Sequence, residues 1–158
     1  QHNGVIRDGH LIGPAARSAG FNVDARLSDT GLPYRKLDFK PVISDDPDAF
    51  GRFYVRSREI MESTDLILKA IEKSGNRNSI PIKSGSGEGA ARIESPQGDL
   101  FYYVKINEGL IEDVQISSPS LLNIDAFRRS MIGNIFTDFH FNWESFGIWI
   151  SEMAVIIE

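Results

Sequence analysis

The segment between Asp45 and Gly75 carries the most regular pattern of apolar and polar positions in the chain. Its large apolar side chains recur at steps of three and four residues, so they share one face of a single long helix. They are Phe50, Phe53, Tyr54, Ile60, Met61, Ile67, Leu68 and Ile71, with Ser57 and Thr64 completing the stripe. Asp46 as cap and Pro47 in the first turn predict the start, and Ser74-Gly75-Asn76 predicts the end. We expect a helix over Asp48–Lys73, with partner helices covering its apolar face.

Residues 91–117 show the alternation of apolar and polar positions that is typical of strands. Strands are predicted over Ala91–Glu94, Leu100–Ile106 and Leu110–Ser117, joined by tight turns into an antiparallel meander. The preceding segment, Asn76–Gly89, is rich in Ser, Gly and Lys and is interpreted as a connector. Its Ser84–Gly89 stretch could be imagined as a phosphate cradle, but no GK[ST] ending supports that, and a flexible loop is favoured.

The two ends of the chain carry shorter signals. Helical turns are predicted over Pro14–Ala19, a short strand over Leu37–Val42, and a helix over Leu121–Met131 that Ser118 introduces and Gly133 ends. The inner side of this helix is predicted to consist of Leu121, Ile124, Phe127 and Met131. The aromatic tail, Ile135–Glu158, is expected to be buried and helical through Met153, with a strand as the alternative for Ala154–Ile157. The elements together predict an α+β fold: a long helix, a small antiparallel β-meander and C-terminal helices.

Composition restricts the class of protein. The 158 residues are 41% hydrophobic and 25% charged, which is typical of one globular domain, so residues 1–158 are interpreted as a single domain or a fragment of a larger one. The net charge of -5 argues against nucleic acid as a partner. No apolar run reaches the length of a membrane span, and residues 1–8 do not resemble a signal peptide. A reducing cytoplasm is therefore expected, and Gln1 in place of Met indicates further sequence before it.

The sequence has no cysteine, which removes disulfides, thiolate nucleophiles, iron–sulfur ligation and thiolate-bound nickel or zinc as functions of these residues. The histidines, His2, His10 and His140, stand alone rather than at ligand spacing, and His140 is interpreted as a packing residue near the surface. The acidic group at Asp45, Asp46 and Asp48 could bind a cation, but helix capping explains it. No pair of nucleophile and base suggests a hydrolase. We assign no catalytic, cofactor-binding or metal-binding residue.

Four passages together resemble a known family. Gly13–Gly20, followed by Asp24-Ala25-Arg26 and Tyr34, resembles a "GPxLRxSG...DxR...Y" passage, and Asp48–Met61 resembles a "DayxRyxvRxxEm" helix. Glu94–Leu100 is similar to an "EaPrGel" turn, and Ser118–Asn123 to an "aPsfxNlq" segment. The family is that of the nickel–iron hydrogenase large subunit and the 49 kDa subunit of respiratory complex I, in particular the membrane-bound group 4 hydrogenases. The likeness implies the fold of the C-terminal half of that subunit.

Two departures from the family concern its metal site. Hydrogenases end in "DPCxxC", where this chain has Ser145–Glu152, and Gln97 replaces the basic residue of the "EaPrG" turn. A nickel–iron centre is therefore not expected from these residues. The resemblance implies a region of a peripheral subunit in a membrane-bound oxidoreductase of NADH–quinone oxidoreductase, formate hydrogenlyase or group 4 hydrogenase type. Its partners would be an iron–sulfur subunit and a membrane subunit at the cytoplasmic membrane. The cofactors of the family, a nickel–iron centre or a quinone, are not expected in this chain, which by itself would be inactive; the alternative is a metal-free scaffold or docking module.

The resemblance also suggests site residues, each with a simpler alternative. Arg17, Asp24 and Arg26 lie where the family orders a loop toward its redox cavity, and the alternative is a surface ion pair. Glu94 and Gln97 flank the turn nearest to the lost metal site, and structural use in that turn is favoured. Trp143, Phe146 and Trp149 could line a quinone-like pocket, although aromatic residues at helical spacing more often belong to the core.

Overall fold

The computed structural model describes residues 3–28, 31–75 and 85–153. The predicted α+β architecture is confirmed. Two short 3-10 helices, Ala25–Leu27 and Pro33–Leu37, lie between the first two α-helices. The regular elements are α1 (Gly13–Ser18), α2 (Ala49–Lys73), β1 (Gly87–Ser95), β2 (Gly98–Asn107), β3 (Leu110–Ser117), α3 (Pro119–Ser130), α4 (Phe139–Phe146) and α5 (Ile150–Met153).

Helix α2 forms where the sequence predicts it, but Asp48 caps it and not Asp46. Asp48 is the extended residue just before the first turn, and its Oδ1 accepts a hydrogen bond from the Gly51 amide at 2.9 Å. Asp46 lies two residues further upstream, where its carboxylate accepts from the Ser44 hydroxyl at 3.2 Å. The predicted cap was wrong because Pro47 precedes the helix instead of occupying its first turn.

The apolar stripe of α2 is not the side that packs against the described residues. Its eight large side chains are 39–69% exposed, whereas Ala49, Gly51, Arg52, Val55 and Leu66 are buried. That side packs against α1 and α4. Gly51 lets the segment before α2 lie close to the first turn of the helix, since a methyl group on Gly51 would collide with the Asp46 carbonyl. Arg52, which lies off the apolar stripe, is therefore on the packed side of α2.

The three strands form an antiparallel sheet in the order β1-β2-β3, as predicted. Ala91 faces Tyr102 across the first pair, and Tyr103 faces Gln115 across the second. Strand β1 begins at Gly87, so the end of the predicted flexible connector is in fact a strand; Gly87 pairs with Ile106. The partner strand supplies backbone hydrogen bonds that local composition does not reveal. Residues 76–84 of the connector lie outside the described residues.

The core lies between α1, α3 and α4. It consists of Leu11, Ala15, Ala16, Ala19, Ala126, Phe127, Phe146 and Ile148. Phe127 stands edge-on to Phe139, Trp143 and Phe146 at centroid distances of 5.5, 5.1 and 5.7 Å. Ser118 caps α3 as predicted, its Oγ accepting from the Leu121 amide at 3.2 Å. The predicted inner position of Leu121 was wrong, since its side chain is 44% exposed and the buried line of α3 runs through Ser120, Asn123, Phe127 and Ser130.

Two further predictions were wrong. No strand forms over Leu37–Val42, because the chain leaves its 3-10 helix through left-handed Asp38 and no neighbouring strand pairs with it. The tail is not one helix, because Gly147 adopts φ +67 and ends α4. Nor is it buried throughout, since Phe136 is 87% exposed and Trp149 59%. The strand alternative for Ala154–Ile157 falls outside the described residues.

Within residues 3–28, 31–75 and 85–153, no helix is both long enough and apolar enough to span a membrane.

Candidate functional site

Five charged side chains from separate parts of the chain meet in one buried ionic cluster. Arg17 comes from α1, Asp24 and Arg26 from the segment after it, Glu59 from α2 and Glu94 from β1. The side chains of Arg17 and Asp24 have no exposed surface, and the most exposed member, Glu59, has 13%. Charges this deeply buried are tolerated only when they are paired and hydrogen-bonded, so the cluster imposes a particular arrangement on the four segments.

Arg17 lies at the centre of the cluster. Its Nη1 is 2.7 Å from Glu94 Oε1 and 3.1 Å from Asp24 Oδ2, and its Nε is 2.8 Å from Glu59 Oε1. Nη1 also donates to the Val23 carbonyl oxygen at 2.9 Å. One guanidinium thus joins three carboxylates that come from three different segments.

Arg26 supplies the second cation. Its Nε and Nη2 donate to the two carboxylate oxygens of Asp24 at 2.9 and 2.7 Å, and Nη2 also donates to Glu59 at 3.1 Å. Asp24 caps the 3-10 turn by accepting from the Arg26 amide at 2.9 Å. The Asp-x-Arg sequence therefore folds locally into the paired geometry, which the Phe39 ring, 4.2 Å from the guanidinium carbon, covers.

Burial raises the pKa of two carboxylates of the cluster, Glu59 and Glu94. The rise in the pKa of Glu59 occurs although the charges of Arg17 and Arg26 oppose it. The pKa of Glu94 rises against the pull of Arg17 and the hydrogen bond from the Ala25 amide. Burial works to lower the pKa of Arg26, but its bonds with Asp24 raise that pKa overall. Glu59 and Glu94 consequently hold their protons to a higher pH than free carboxylic acids.

Two more arginines of α2 bind the end of α4. Arg52 Nε donates to Ser145 Oγ at 2.9 Å, and its guanidinium carbon lies 4.1 Å from the Phe146 ring centroid. Arg56 donates to the carbonyl oxygens of Ser145 and Phe146, the latter at 2.8 Å. Burial lowers the pKa of Arg52 to about 9 and that of Arg56 to about 10. Arg56 thus satisfies free carbonyl groups at the C-terminal end of α4, while Arg52 holds the Ser145 side chain and the Gly4 carbonyl oxygen.

The β1–β2 turn, the start of α1 and the α4–α5 connection converge beside the cluster. A Cβ on Gly147 would lie 2.7 Å from Arg56 Nη2 and 3.2 Å from Gln97 Cγ. A Cβ on Gly13 would collide with the Gln97 backbone. Both glycines have positive φ, at +62 for Gly13 and +67 for Gly147, so these close approaches depend on the absence of a side chain.

The donor atoms at this convergence do not fit a nickel–iron centre. Such a centre needs thiolates, and the sequence supplies none. The Ser145 hydroxyl here accepts from Arg52 and donates to the Asn142 carbonyl oxygen at 2.7 Å, so it is already used. Across residues 3–28, 31–75 and 85–153, no three His, Asp or Glu side chains are grouped to hold a metal ion.

An open groove of about 460 Å³ runs along α2 beside the cluster. Its charged lining is Arg26, Arg56, Glu59 and Glu94, and its apolar lining includes Ile60, Ile67 and Pro96. A neighbouring hollow of about 340 Å³ shares Arg26 and Glu94 and extends toward Tyr34 and Leu66. The groove therefore offers hydrogen-bond donors and acceptors next to an apolar wall, which is the usual character of a small-molecule site.

Comparison with known proteins identifies the family. The family described as "Respiratory-chain NADH dehydrogenase, 49 Kd subunit" matches residues 6–84. The chain belongs to this family. Among the relatives of the 49 kDa family, "Carbon monoxide-induced hydrogenase" of Rhodospirillum rubrum is 32% identical over 81% of this chain and 37% of its own length. "Membrane-bound hydrogenase subunit alpha" of Pyrococcus furiosus is 29% identical over 80% of this chain and 34% of its own.

A solved structure shares the fold of this 49 kDa family member. It is a chain from "the membrane-bound sulfane sulfur reductase (MBS), an archaeal respiratory membrane complex", with a TM-score of 0.80, 22% identity, and coverage of 93% of this chain and 44% of that one. This chain spans about a third of the length of the curated relatives it matches.

The family-based predictions for the site can now be compared with the geometry. The alternative that Arg17, Asp24 and Arg26 form a surface ion pair was wrong, because all three are buried in the cluster. Glu94 joins the same cluster from the turn, so its use extends beyond the turn itself. Glu59 was not predicted as a site residue. A signal was present, because Glu59 and Arg56 lie three residues apart, off the apolar stripe, in the helix passage that resembles the 49 kDa family.

The structure gives different outcomes for the individual aromatic and histidine predictions. Phe146 is core as favoured, whereas Trp149 is exposed and lines, with Trp143, a hollow of about 370 Å³. His140 is exposed and stands edge-on to Phe139 at 5.7 Å, which confirms a surface packing role. His10 is also exposed, and His2 lies outside the described residues. The capping role proposed for the aspartates holds only for Asp48, as Asp45 pairs with Arg7 at 3.4 Å.

Proposed function

We propose that this chain is the C-terminal region of a peripheral subunit of NADH–quinone oxidoreductase or group 4 hydrogenase type. It works within a membrane-bound electron-transfer complex at the cytoplasmic membrane and binds no nickel–iron centre itself. The observation that carries the proposal is the ionic cluster. Each of three family-like passages contributes to it: Arg17, Asp24 and Arg26 from the first, Glu59 from the helix, and Glu94 from the turn.

The cluster suits the wall of a reaction cavity. A buried ionic network gives little net stability compared with apolar packing of the same volume, but it specifies one geometry. Here that geometry holds α1, α2 and β1 around the groove that Arg26, Glu59 and Glu94 line. In the proposed role these residues fix the cavity wall, while cofactors in an iron–sulfur subunit and a membrane subunit carry the electrons.

A metal-free scaffold or docking module is the second candidate. The exposed apolar side chains on α2 and the neutral Gln97 in the turn favour it, since neither feature requires chemistry at the groove. The two candidates differ in what the groove residues do. Turnover depends on groove residues in the oxidoreductase subunit, but only assembly matters in the scaffold.

The decisive experiment uses the full-length protein purified from its native membranes. We expect an iron–sulfur subunit and a membrane subunit to co-purify with it. Glu94→Gln removes a charge from the groove wall, and Glu112→Gln is the matched control, since Glu112 forms a half-exposed pair with Lys105 on the same sheet. With assembly intact, we expect Glu94→Gln to lower electron-transfer turnover by at least tenfold and Glu112→Gln to leave it unchanged.

Two results would contradict the proposal. Full turnover in an assembled Glu94→Gln complex would favour the scaffold, and purification without any redox partner would remove the oxidoreductase assignment. The metal statement has a separate test, in which elemental analysis of the purified 158-residue chain is expected to find no stoichiometric nickel or iron. Stoichiometric nickel would show that donors other than thiolates hold the metal.

A further inference from the structure

A hollow of about 370 Å³ lies where α4 ends and α5 begins. Two indole rings line it, Trp143 from α4 and Trp149 from the connection to α5, together with the side chain of Glu144. None of the lining residues belongs to the ionic cluster or to the groove beside it. The hollow therefore joins aromatic and apolar surface to one negative charge, and its lining includes no Lys, Arg or His. The other lining residues are Gly147, Ile148, Ile150 and Ser151.

The two aromatic walls are positioned by contacts within the fold. The ring of Trp143 stacks on the ring of Phe139, with centroids 6.0 Å apart and an interplanar angle of 17°, and it stands edge-on to Phe127. The backbone amide of Trp149 donates to the Ser120 hydroxyl oxygen at 3.0 Å, which ties the connection before α5 to α3. The side chain of Trp149 is 59% exposed, so a ligand can reach its ring. Walls that are set in advance reduce the conformational entropy lost on binding.

The carboxylate of Glu144 is available to a cation. The side chain is exposed, and it forms neither a hydrogen bond nor an ion pair with any residue of 3–28, 31–75 or 85–153. Arg56 is near enough for its charge to interact with Glu144, but its guanidinium donates to the carbonyl oxygens of Ser145 and Phe146 instead. The negative end of the α4 dipole lies at the same place and also favours positive charge there.

The chemistry of this lining suits an organic cation. The face of an indole ring carries negative potential and attracts the ammonium group of lysine or the guanidinium group of arginine, and a carboxylate adds a charge-assisted hydrogen bond. A neutral aromatic ligand would take water from Glu144 without replacing that partner. A divalent metal ion would need more oxygen ligands than one carboxylate supplies. Ile150, which is 70% exposed, offers apolar surface to the methylene stem of a basic side chain.

A basic side chain of another polypeptide is the occupant that the charges favour. The net charge of this chain is -5, which attracts basic partners over a longer range than the hollow does. Residues 154–158, which follow α5, are Ala, Val, Ile, Ile and Glu, so none of them can supply the cation. Tryptophan and arginine are also the residue types in which binding energy concentrates at protein interfaces. The proposed function provides such a partner, since it places the chain among other subunits, and the inference depends on it in this respect.

We propose that this hollow binds the guanidinium or ammonium group of an Arg or Lys side chain of another subunit. The Glu144 carboxylate pairs with the cation, the rings of Trp143 and Trp149 pack against it, and Ile150 contacts the methylene stem. Loss of the carboxylate charge or of an aromatic ring therefore weakens the contact.

Fluorine NMR of the full-length protein, labelled with fluorotryptophan and produced without its partners, tests the proposal. The signal that disappears in Trp149→Leu is that of Trp149. Two probes are titrated: N-acetyl-arginine amide and its citrulline analogue, in which a neutral urea group replaces the guanidinium. We expect the arginine probe to shift the Trp149 signal saturably and to bind more tightly than the citrulline probe by about fivefold or more. Glu144→Gln should abolish most of this preference, whereas Glu112→Gln, which removes the same charge from the sheet, should retain it.

The assembled complex tests the source of the cation. There we expect the Trp149 signal to lie at its cation-bound position without any added probe, and Glu144→Gln to move it away. Equal affinity for the two probes, or no saturable shift with the arginine probe, would overturn the chemistry. A bound position already present in the separate protein, or an unbound position in the complex, would overturn the source. The proposed function is decided separately, by co-purification and by turnover of the Glu94→Gln complex; its failure would remove the partner subunit, while the two-probe titration would still decide what the hollow binds.

Discussion

The substitution Arg17→Met tests the ionic cluster most directly. Methionine fills a similar volume in the buried site, so the change removes charge with little loss of packing. Arg26 still pairs with Asp24 and Glu59 in the variant. Glu94 loses its ion pair with Arg17 and keeps the hydrogen bond from the Ala25 amide at 2.9 Å. The cluster changes from two cations and three carboxylates to one cation and three carboxylates.

The expected cost follows from the burial of the pairs. Removing one partner of a buried ion pair typically costs about 3 to 5 kcal/mol, because an uncompensated charge remains in the interior. A domain of this size is stable by roughly 5 to 15 kcal/mol, so the variant loses a large part of its free energy of unfolding. At about 2 to 4 °C per kcal/mol, the midpoint of thermal unfolding falls by roughly 6 to 20 °C.

The loss should depend on pH, and its sign follows from Glu59 and Glu94. Burial raises the pKa of both above the ordinary value of 4.5. The folded state then binds more protons than the unfolded state between that value and the folded pKa, so stability falls as pH rises through this window. Arg17→Met removes a cation that opposed the rise and extends the window upward. We therefore expect acidification from pH 7 toward about 5 to reduce the difference from the natural protein.

Urea denaturation followed by tryptophan fluorescence measures both effects, with Trp143 and Trp149 as reporters. The control is Arg128→Met, the same substitution in a pair with Asp125 in which both side chains are about three-quarters exposed. This surface pair should contribute less than about 1 kcal/mol. Equal losses in the two variants, or a difference that does not shrink on acidification, would refute the view that Arg17 compensates buried carboxylates.

The same unfolding assay can measure two further predictions, one about glycines with positive φ and one about the cap of α2. Gly133→Ala places a side chain at φ +83 in open space and should cost about 1 to 2 kcal/mol from strain alone; Gly13→Ala adds a collision with the Gln97 backbone and should cost at least about 2 kcal/mol more. Equal costs would mean that the turn and α1 move apart easily. Asp48→Ala should cost about 1 kcal/mol as a lost cap, whereas Asp46→Ala should stay within about 0.5 kcal/mol; the reverse order would place the cap at Asp46.

Local signals explain the elements that sequence reasoning located correctly. Helix α2 and the three strands depend on apolar spacing, caps and turns within a few residues of each element. Their ends could therefore be predicted to within a few residues. The predictions failed where pairing across the chain decides, as at Leu37–Val42, which finds no partner strand, and at Gly87, which does. The break of the tail at Gly147 was missed because a single glycine is a weak local signal.

Sequence reasoning identified four of the five residues of the ionic cluster but not their arrangement, and it missed Glu59. The family likeness marked Arg17, Asp24, Arg26 and Glu94 as residues of interest, yet Arg17 and Glu94 are separated by 77 positions along the chain. No periodicity connects residues that far apart. Whether they form an exposed pair or a buried cluster depends on how α1, α2 and β1 meet, which is a property of tertiary packing.

The amino-acid sequence by itself determined that no thiolate chemistry is available. It also determined that the chain forms a long two-sided helix and a β-meander. Tertiary structure alone decided which side of α2 faces inward, because amphipathicity shows that an apolar face needs cover but not where that cover lies. The inward side instead carries Arg52, Arg56 and Glu59. Their burial is possible because the end of α4 presents polar oxygens to the two arginines, and because Arg17 and Arg26 present opposite charge to Glu59. Those partners come together only when the chain has folded.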